Sequence, residues 1–194
     1  MNTVLITGGS RGIGAATALL APERGYSVCA NHRTNAGAAD AVVQEIIHKG
    51  GNAIAVQADV GIEPDVVRMF RHVDQTLGLL TALVNNAGIV EQQSRLEAMD
   101  SIRLQRIFTT NVTGSVLCAR EAVRRMSTRT GGKGGAIVNV SSIAAQIGAP
   151  GEYIDYAASK AASEPEEVAK AILWLLSPEA SYCTGAMLNV GGGR

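Results

Sequence analysis

Tyr156 and Lys160 stand four residues apart, a spacing that puts both side chains on one face of a helix. A tyrosine that gives or takes a proton near neutrality needs its hydroxyl, ordinarily of pKa about 10, brought down, and a neighbouring ammonium does this by stabilising the phenolate. Tyr153 is a rival, but the residue four positions beyond it is Ala157, which brings no charge. Upstream, Ser141 and Ser142 follow the apolar run 136–140, so either hydroxyl would lie at the carboxyl end of a strand, where a parallel sheet presents its ligand-binding residues. A hydroxyl there polarises a carbonyl oxygen while the tyrosine exchanges its proton. The chemistry implied is interconversion of a carbonyl and an alcohol.

Such chemistry needs a hydride carrier, and the first turn of the chain offers a place for one. Thr7-Gly8-Gly9-Ser10-Arg11-Gly12-Ile13-Gly14 falls between an apolar strand pattern and a helical pattern. Glycines in that context allow a tight turn and close backbone approach to a pyrophosphate, and the helix start offers free N–H groups and a positive dipole end. At the end of the second strand an acid would hold a ribose hydroxyl and repel a 2′-phosphate. The sequence instead reads Asn31-His32-Arg33-Thr34, so Arg33, with Arg11 nearby in the glycine loop, favours NADP(H) over NAD(H).

The elements that position these residues alternate. Strands are expected at 3–7, 26–31, 53–58, 80–84 and 136–140, and helices at 12–24, closed by Gly25, at 35–48, from Pro64 to Gly78 and at 101–126. In the third helix Val66, Val67, Phe70, Val73 and Leu77 are expected on one face. This rhythm predicts an α/β fold, a Rossmann-like doubly wound parallel sheet in three layers, forming one domain over 1–194. Further on, helices are expected at 151–160 and 165–176 and a last strand at 186–190. The loop Gly131-Gly132-Lys133-Gly134-Gly135 is not a Walker loop, since no Ser or Thr follows Lys133.

Composition narrows the partners. Lys plus Arg and Asp plus Glu both number 17, so no basic excess points to nucleic acid. No apolar run approaches the roughly 18 residues of a membrane span, and the first strand begins almost at Met1, so a cytoplasmic protein is expected. Cys29, Cys118 and Cys183 read as small buried hydrophobes, and the scattered His32, His48 and His72 suggest no metal site.

The Thr-Gly-x-x-x-Gly-x-Gly spacing, Asn85-Asn86-Ala87-Gly88 at the end of the fourth strand and the Tyr-x-x-x-Lys pair together resemble the short-chain dehydrogenase/reductase family, over nearly the whole chain. The resemblance implies cofactor contacts from Gly8, Ser10, Arg11, Gly12, Ile13 and Gly14, and from Asn86, Ala87 and Gly88, which also hold the sheet. It implies adenine contacts from Asp59 and Val60, although Asp59 reads equally well as a helix cap. Ser142 would orient the substrate oxygen, Asn111 would anchor a proton-relay water, and Lys160 would also bind the nicotinamide ribose. The separation of Ser142 from Tyr156 is one residue longer than in many members, so Ser141 stays open as the serine. A homotetramer or homodimer built through the long helices is implied as well.

One stretch departs from the pattern. After Lys160 the family continues the catalytic helix, adds a sixth strand and then a substrate loop, whereas Ala161-Ala162-Ser163 runs here straight into Glu164-Pro165. Pro165 forbids one continuous helix, and Ser163 with Glu166 forms a capping-box pattern for a new one. The sixth strand and substrate loop are therefore missing near 162–165. Either the written sequence skips a block that the polypeptide carries, or the block is deleted; a deletion would bare apolar surface on the fifth strand, which favours the first. The leading expectation is an NADP-dependent oxidoreductase acting on a small-molecule carbonyl or alcohol. The alternative is a dinucleotide-binding protein without catalysis. Substrate identity is not legible, beyond Ile143, Gln146, Ile147 and Tyr153 as possible lining.

Overall fold

A computed structural model describes residues 2–141 and 165–180. Five parallel strands, β1 (Asn2–Ile6), β2 (Tyr26–His32), β3 (Ala53–Gln57), β4 (Leu80–Asn85) and β5 (Ala136–Asn139), form one sheet in the order β3-β2-β1-β4-β5. The order reverses between β1 and β4, which opens a crevice at the carboxyl edge of the sheet. The doubly wound α/β fold expected from the alternation is the fold observed. The helix expected at 151–160 and the last strand expected at 186–190 lie outside the described residues.

Each sheet face buries its own core because successive side chains on a parallel strand point to opposite sides. Val4, Ile6, Val28 and Ala30 face α1 (Gly12–Leu20) and α2 (Ala36–His48), while Leu5, Cys29 and Leu83 face α3 (Glu63–Thr76) and a long helix that includes α4 (Ser101–Phe108) and α5 (Gly114–Met126). The last described helix, α6 (Pro165–Leu175), joins the first face: Ile172, Leu173 and Leu176 pack into its core, and the Tyr26 hydroxyl donates to the Leu176 carbonyl at 3.3 Å.

Three helices differ from expectation. The first stops at Leu20 and tightens into a 3₁₀ turn over Ala21–Arg24, because Pro22 has no N–H to give and its ring crowds the carbonyl one turn back. Gly25, at φ +79°, then closes it. In α3 the buried face is Val66, Met69, Phe70 and Val73; Val67, about 100° round the helix from Val66, is only partly buried. The long helix is interrupted by a π turn over Thr109–Thr113, between α4 and α5. A run of Thr, Thr, Asn, Val and Thr is poor at holding a regular α-helix, and π turns concentrate at functional sites.

Candidate functional site

The turn from β1 into α1 is tied to three strands. Thr7 Oγ1 accepts from the backbone N–H groups of Asn86 (3.0 Å) and Ala87 (2.9 Å) and donates to the Val84 carbonyl (3.3 Å). Asn86 Nδ2 donates back to the carbonyls of Thr7 (2.9 Å) and Gly8 (3.1 Å). From the other side, Asn31 Oδ1 accepts from Gly8 N–H (3.2 Å), and Asn31 Nδ2 donates to the carbonyls of Val56 (3.2 Å) and Ala58 (3.0 Å). Gly8 sits at φ +64°, a conformation that disfavours a side chain, and a Cβ on Gly14 would run into the Gly8 carbonyl and lie 2.5 Å from Asn86 Nδ2. Arg11 caps α1 with backbone only, and no acid occupies the first helical turn. The first-turn N–H groups, next to Gly8, Ser10, Gly12 and Ile13, therefore suit an anion. A glycine-rich cradle on a helix start without a side-chain cap fits the pyrophosphate of a dinucleotide.

Beyond β2, Arg33 is exposed and its Nη1 lies 3.8 Å from Asp59 Oδ2. Both border a cavity of about 290 Å³ that also touches Gly61, Ile62, Gln105 and Thr110. Asp59 does not cap α3, whose N-cap is Ile62; its Oδ1 folds onto Gly61 N–H at 2.9 Å instead, leaving Oδ2 toward Arg33. Its own N–H donates to Asp65 Oδ2 at 3.1 Å, and Arg68, with that N–H, holds the Asp65 carboxyl below the usual carboxylate range. Val60 is buried against Gly114, so the loop after β3 packs directly on the long helix just beyond its π turn.

That turn delivers Asn111 to the strand-end segment Asn86-Ala87-Gly88. Asn111 Oδ1 accepts from Ile89 N–H (2.8 Å) and its Nδ2 donates to the Ile89 carbonyl (3.0 Å), so one amide clamps both backbone groups of Ile89. The Asn111 carbonyl in turn accepts from Ser115 Oγ at 3.0 Å. Ser141 is exposed just past β5. Ser142, Tyr156 and Lys160, with the possible lining residues Ile143, Gln146, Ile147 and Tyr153, lie outside the described residues. The structure thus brings Asn111, Asn86, Gly8 and Gly14 together at one edge and places Arg33 and Asp59 along the same edge.

Sequence reasoning missed two residues here. Thr7 had been read only as part of a spacing, and Asn31 only as a position without an acid, yet each makes several of the bonds that shape the loop. The β-branched run before Gly114 was a legible sign of the π turn. The described thiols behave as the composition suggested: burial pushes Cys118 up to about 12, with Glu121 adding to the shift, and burial drives Cys29 higher still.

A family described as short chain dehydrogenase matches residues 2–165 of the chain. The chain is 43% identical to an uncharacterized oxidoreductase, YgfF, of Escherichia coli K12, with all of both proteins covered. That alignment runs over 247 positions, whereas this chain has 194 residues, so at least 53 positions are filled by the relative alone. A 3-oxoacyl-[acyl-carrier-protein] reductase of Synechocystis is 33% identical over 97% of the chain and 95% of its own length. Among solved structures, a short-chain dehydrogenase/reductase from Serratia marcescens superposes with a TM-score of 0.88 at 25% identity, covering 99% of this chain and 97% of its own.

Proposed function

Because the chain belongs to the short-chain dehydrogenase/reductase family, and is therefore an oxidoreductase of CH–OH and C=O groups, we propose that it works with NADP(H) through Ser142, Tyr156, Lys160 and Asn111. The observation that carries this reading is the convergence, at one sheet edge, of the glycine cradle on an uncapped helix and the Asn111 amide clamped on Ile89. NADPH, when bound, supplies the hydride. Gly8, Ser10, Arg11, Gly12, Ile13 and Gly14 hold its pyrophosphate, and Asp59, Val60, Asn86, Ala87 and Gly88 border its adenosine half. Arg33, with no acid beside it on β2, takes the 2′-phosphate.

The protein's own groups handle the proton. Ser142 donates a hydrogen bond to the carbonyl oxygen and orients it. Tyr156 gives that oxygen its proton, and Lys160 stabilises the phenolate left behind. Asn111 holds a water through which the proton is replaced. Tyr156→Phe should lower kcat by about 10³-fold, within the range of a lost general acid, with NADPH affinity retained. The test is NADPH oxidation against a carbonyl panel that includes a 3-oxoacyl thioester, the substrate type named for the Synechocystis relative. NADPH binding without turnover on any carbonyl would favour the alternative, a dinucleotide-binding protein without catalysis.

The 53 or more positions that only the Escherichia coli relative fills fit the junction at 162–165, where the sixth strand and substrate loop would stand in a single 1–194 domain. The polypeptide should then have an intact mass clearly above 20.1 kDa; a mass at that value means a true deletion. The long helix also presents Phe108, Val112, Val116 and Val123 to solvent, each about half exposed or more. Such a stripe fits pairing with a second copy. Val116→Asp should then shift the protein from dimer or tetramer toward monomer in size-exclusion chromatography with light scattering.

A further inference from the structure

Asn85 and Asn139 are register partners, the last pair of the parallel strands β4 and β5. In sequence, β4 leads on to Asn86-Ala87-Gly88 beside the glycine loop, and β5 leads on to Ser141 and Ser142. Asn85 Nδ2 donates to Asn139 Oδ1 at 2.9 Å and to the Ser115 carbonyl at 3.1 Å. Ser115 lies two residues after the π turn, and its hydroxyl donates to the Asn111 carbonyl at 3.0 Å. A chain of three hydrogen bonds therefore links the exit of β5, through β4 and α5, to Asn111. The Ser115 carbonyl can only accept, which fixes the orientation of the Asn85 amide.

Packing alone does not account for this pair. Asn85 is 4% exposed, and its Oδ1 is buried without a hydrogen-bond partner among the described residues. A valine there would fill cross-strand space without stranding a buried acceptor.

We propose that Asn139 and Asn85, with Ser115, are positioning residues of the reaction: they fix the end of β5 that leads to Ser142 relative to the helical turn that carries Asn111. The proposal rests on the reading of Ser142 and Asn111 given above. It matters because displacement of reacting groups by about 1 Å is enough to cost a large factor in rate.

The test compares Asn139→Ala with Asn139→Asp in the full chain. Aspartate keeps an oxygen for Asn85 Nδ2; alanine does not. Asn139 is exposed, so the alanine variant should fold. Its kcat for carbonyl reduction should fall about tenfold, with KM and NADPH affinity within about twofold of wild type, and the aspartate variant should recover most of the rate. Amide hydrogen exchange over 109–116, which needs no turnover, should quicken in the alanine variant and return toward wild type in the aspartate one. Ser115→Ala, which cuts only the final link, should lower kcat about threefold, and it carries the test if Asn139→Ala does not fold. Unchanged kcat and unchanged exchange in the alanine variants overturn the proposal, as does an aspartate variant as impaired as alanine. If the wild type binds NADPH yet reduces nothing, the roles of Ser142 and Asn111 fall. The exchange result then decides alone: faster exchange upholds the clamp and unchanged exchange overturns it.

Discussion

At its carboxyl half, α5 is fastened to α3 by charge. Glu121, whose side chain is 5% exposed, meets Arg125 at 2.9 Å and Arg124 at 2.7 Å; Arg125 also reaches Asp74 at 2.8 Å and stacks its guanidinium 5.1 Å from the centre of the Phe70 ring. At its other end, around the π turn, the same helix is held by neutral amides, Asn111 on Ile89 and Asn85 on the Ser115 carbonyl. Partly buried ion pairs closed by charge-assisted hydrogen bonds are the stronger fastening, but they respond to pH. Amide bonds are weaker, directional and indifferent to pH.

The largest effect should come from breaking the charged end. Glu121→Ala removes the carboxylate shared by Arg125 and Arg124, leaving Arg125, only 15% exposed, with Asp74 as its one acidic partner among the described residues, and should destabilise the fold by about 3 kcal/mol in urea denaturation while leaving NADPH affinity unchanged. Glu121→Gln sharpens the same point through pH. Burial pushes the Glu121 carboxyl up, but Arg125 and then Arg124 outweigh it and hold the group below the usual glutamate range. A depressed folded pKa means that the stabilisation is present above the unfolded pKa, about 4.3, and is lost as pH falls through the folded value. Wild-type urea midpoints should therefore drop in acid more steeply than those of Glu121→Gln.

Next comes Thr7→Val, at the cofactor edge, which leaves the Asn86 and Ala87 N–H groups without their acceptor. It should cost about 2 kcal/mol and, unlike Glu121→Ala, should weaken NADPH binding in a fluorescence titration. Arg33→Ala should leave stability within about 0.5 kcal/mol, because the Arg33 pair with Asp59 is long and half exposed. It should weaken NADPH about tenfold, the scale of a charge-assisted bond, with NADH unaffected. The smallest effect is a silence: Cys118, with its thiol pushed up to about 12, should resist a thiol reagent in the native protein at pH 8 and react only on unfolding.

The sheet and the cofactor turn were legible in the sequence because local rules govern them. Buried parallel strands read as apolar runs, and glycines at 8, 12 and 14 mark a turn whatever lies across from it. What escaped depends on partners far along the chain. Nothing near Asn31 announces that its amide will bridge the Gly8 loop and β3, and the Asn85–Asn139 pair exists only once β4 and β5 are in register. Within single elements the misreadings were of phase and of backbone. Val67 was assigned to a face that 3.6-residue spacing gives to Met69, and Pro22 was read through when it ends the regular helix.

The π turn also changes what the segment can tolerate in evolution. One extra residue is lodged between α4 and α5, so everything before it is rotated by about 100° relative to the phase an unbroken helix would give. Removing any single residue from Thr109–Thr113 would let the two helices fuse, at little cost to helicity, and would swing the upstream segment out of step with the loop that Asn111 clamps. The count of residues in this segment is thus under tighter constraint than the identity of most of them. A one-residue deletion here should do more harm than any point substitution within Thr109–Thr113 other than at Asn111.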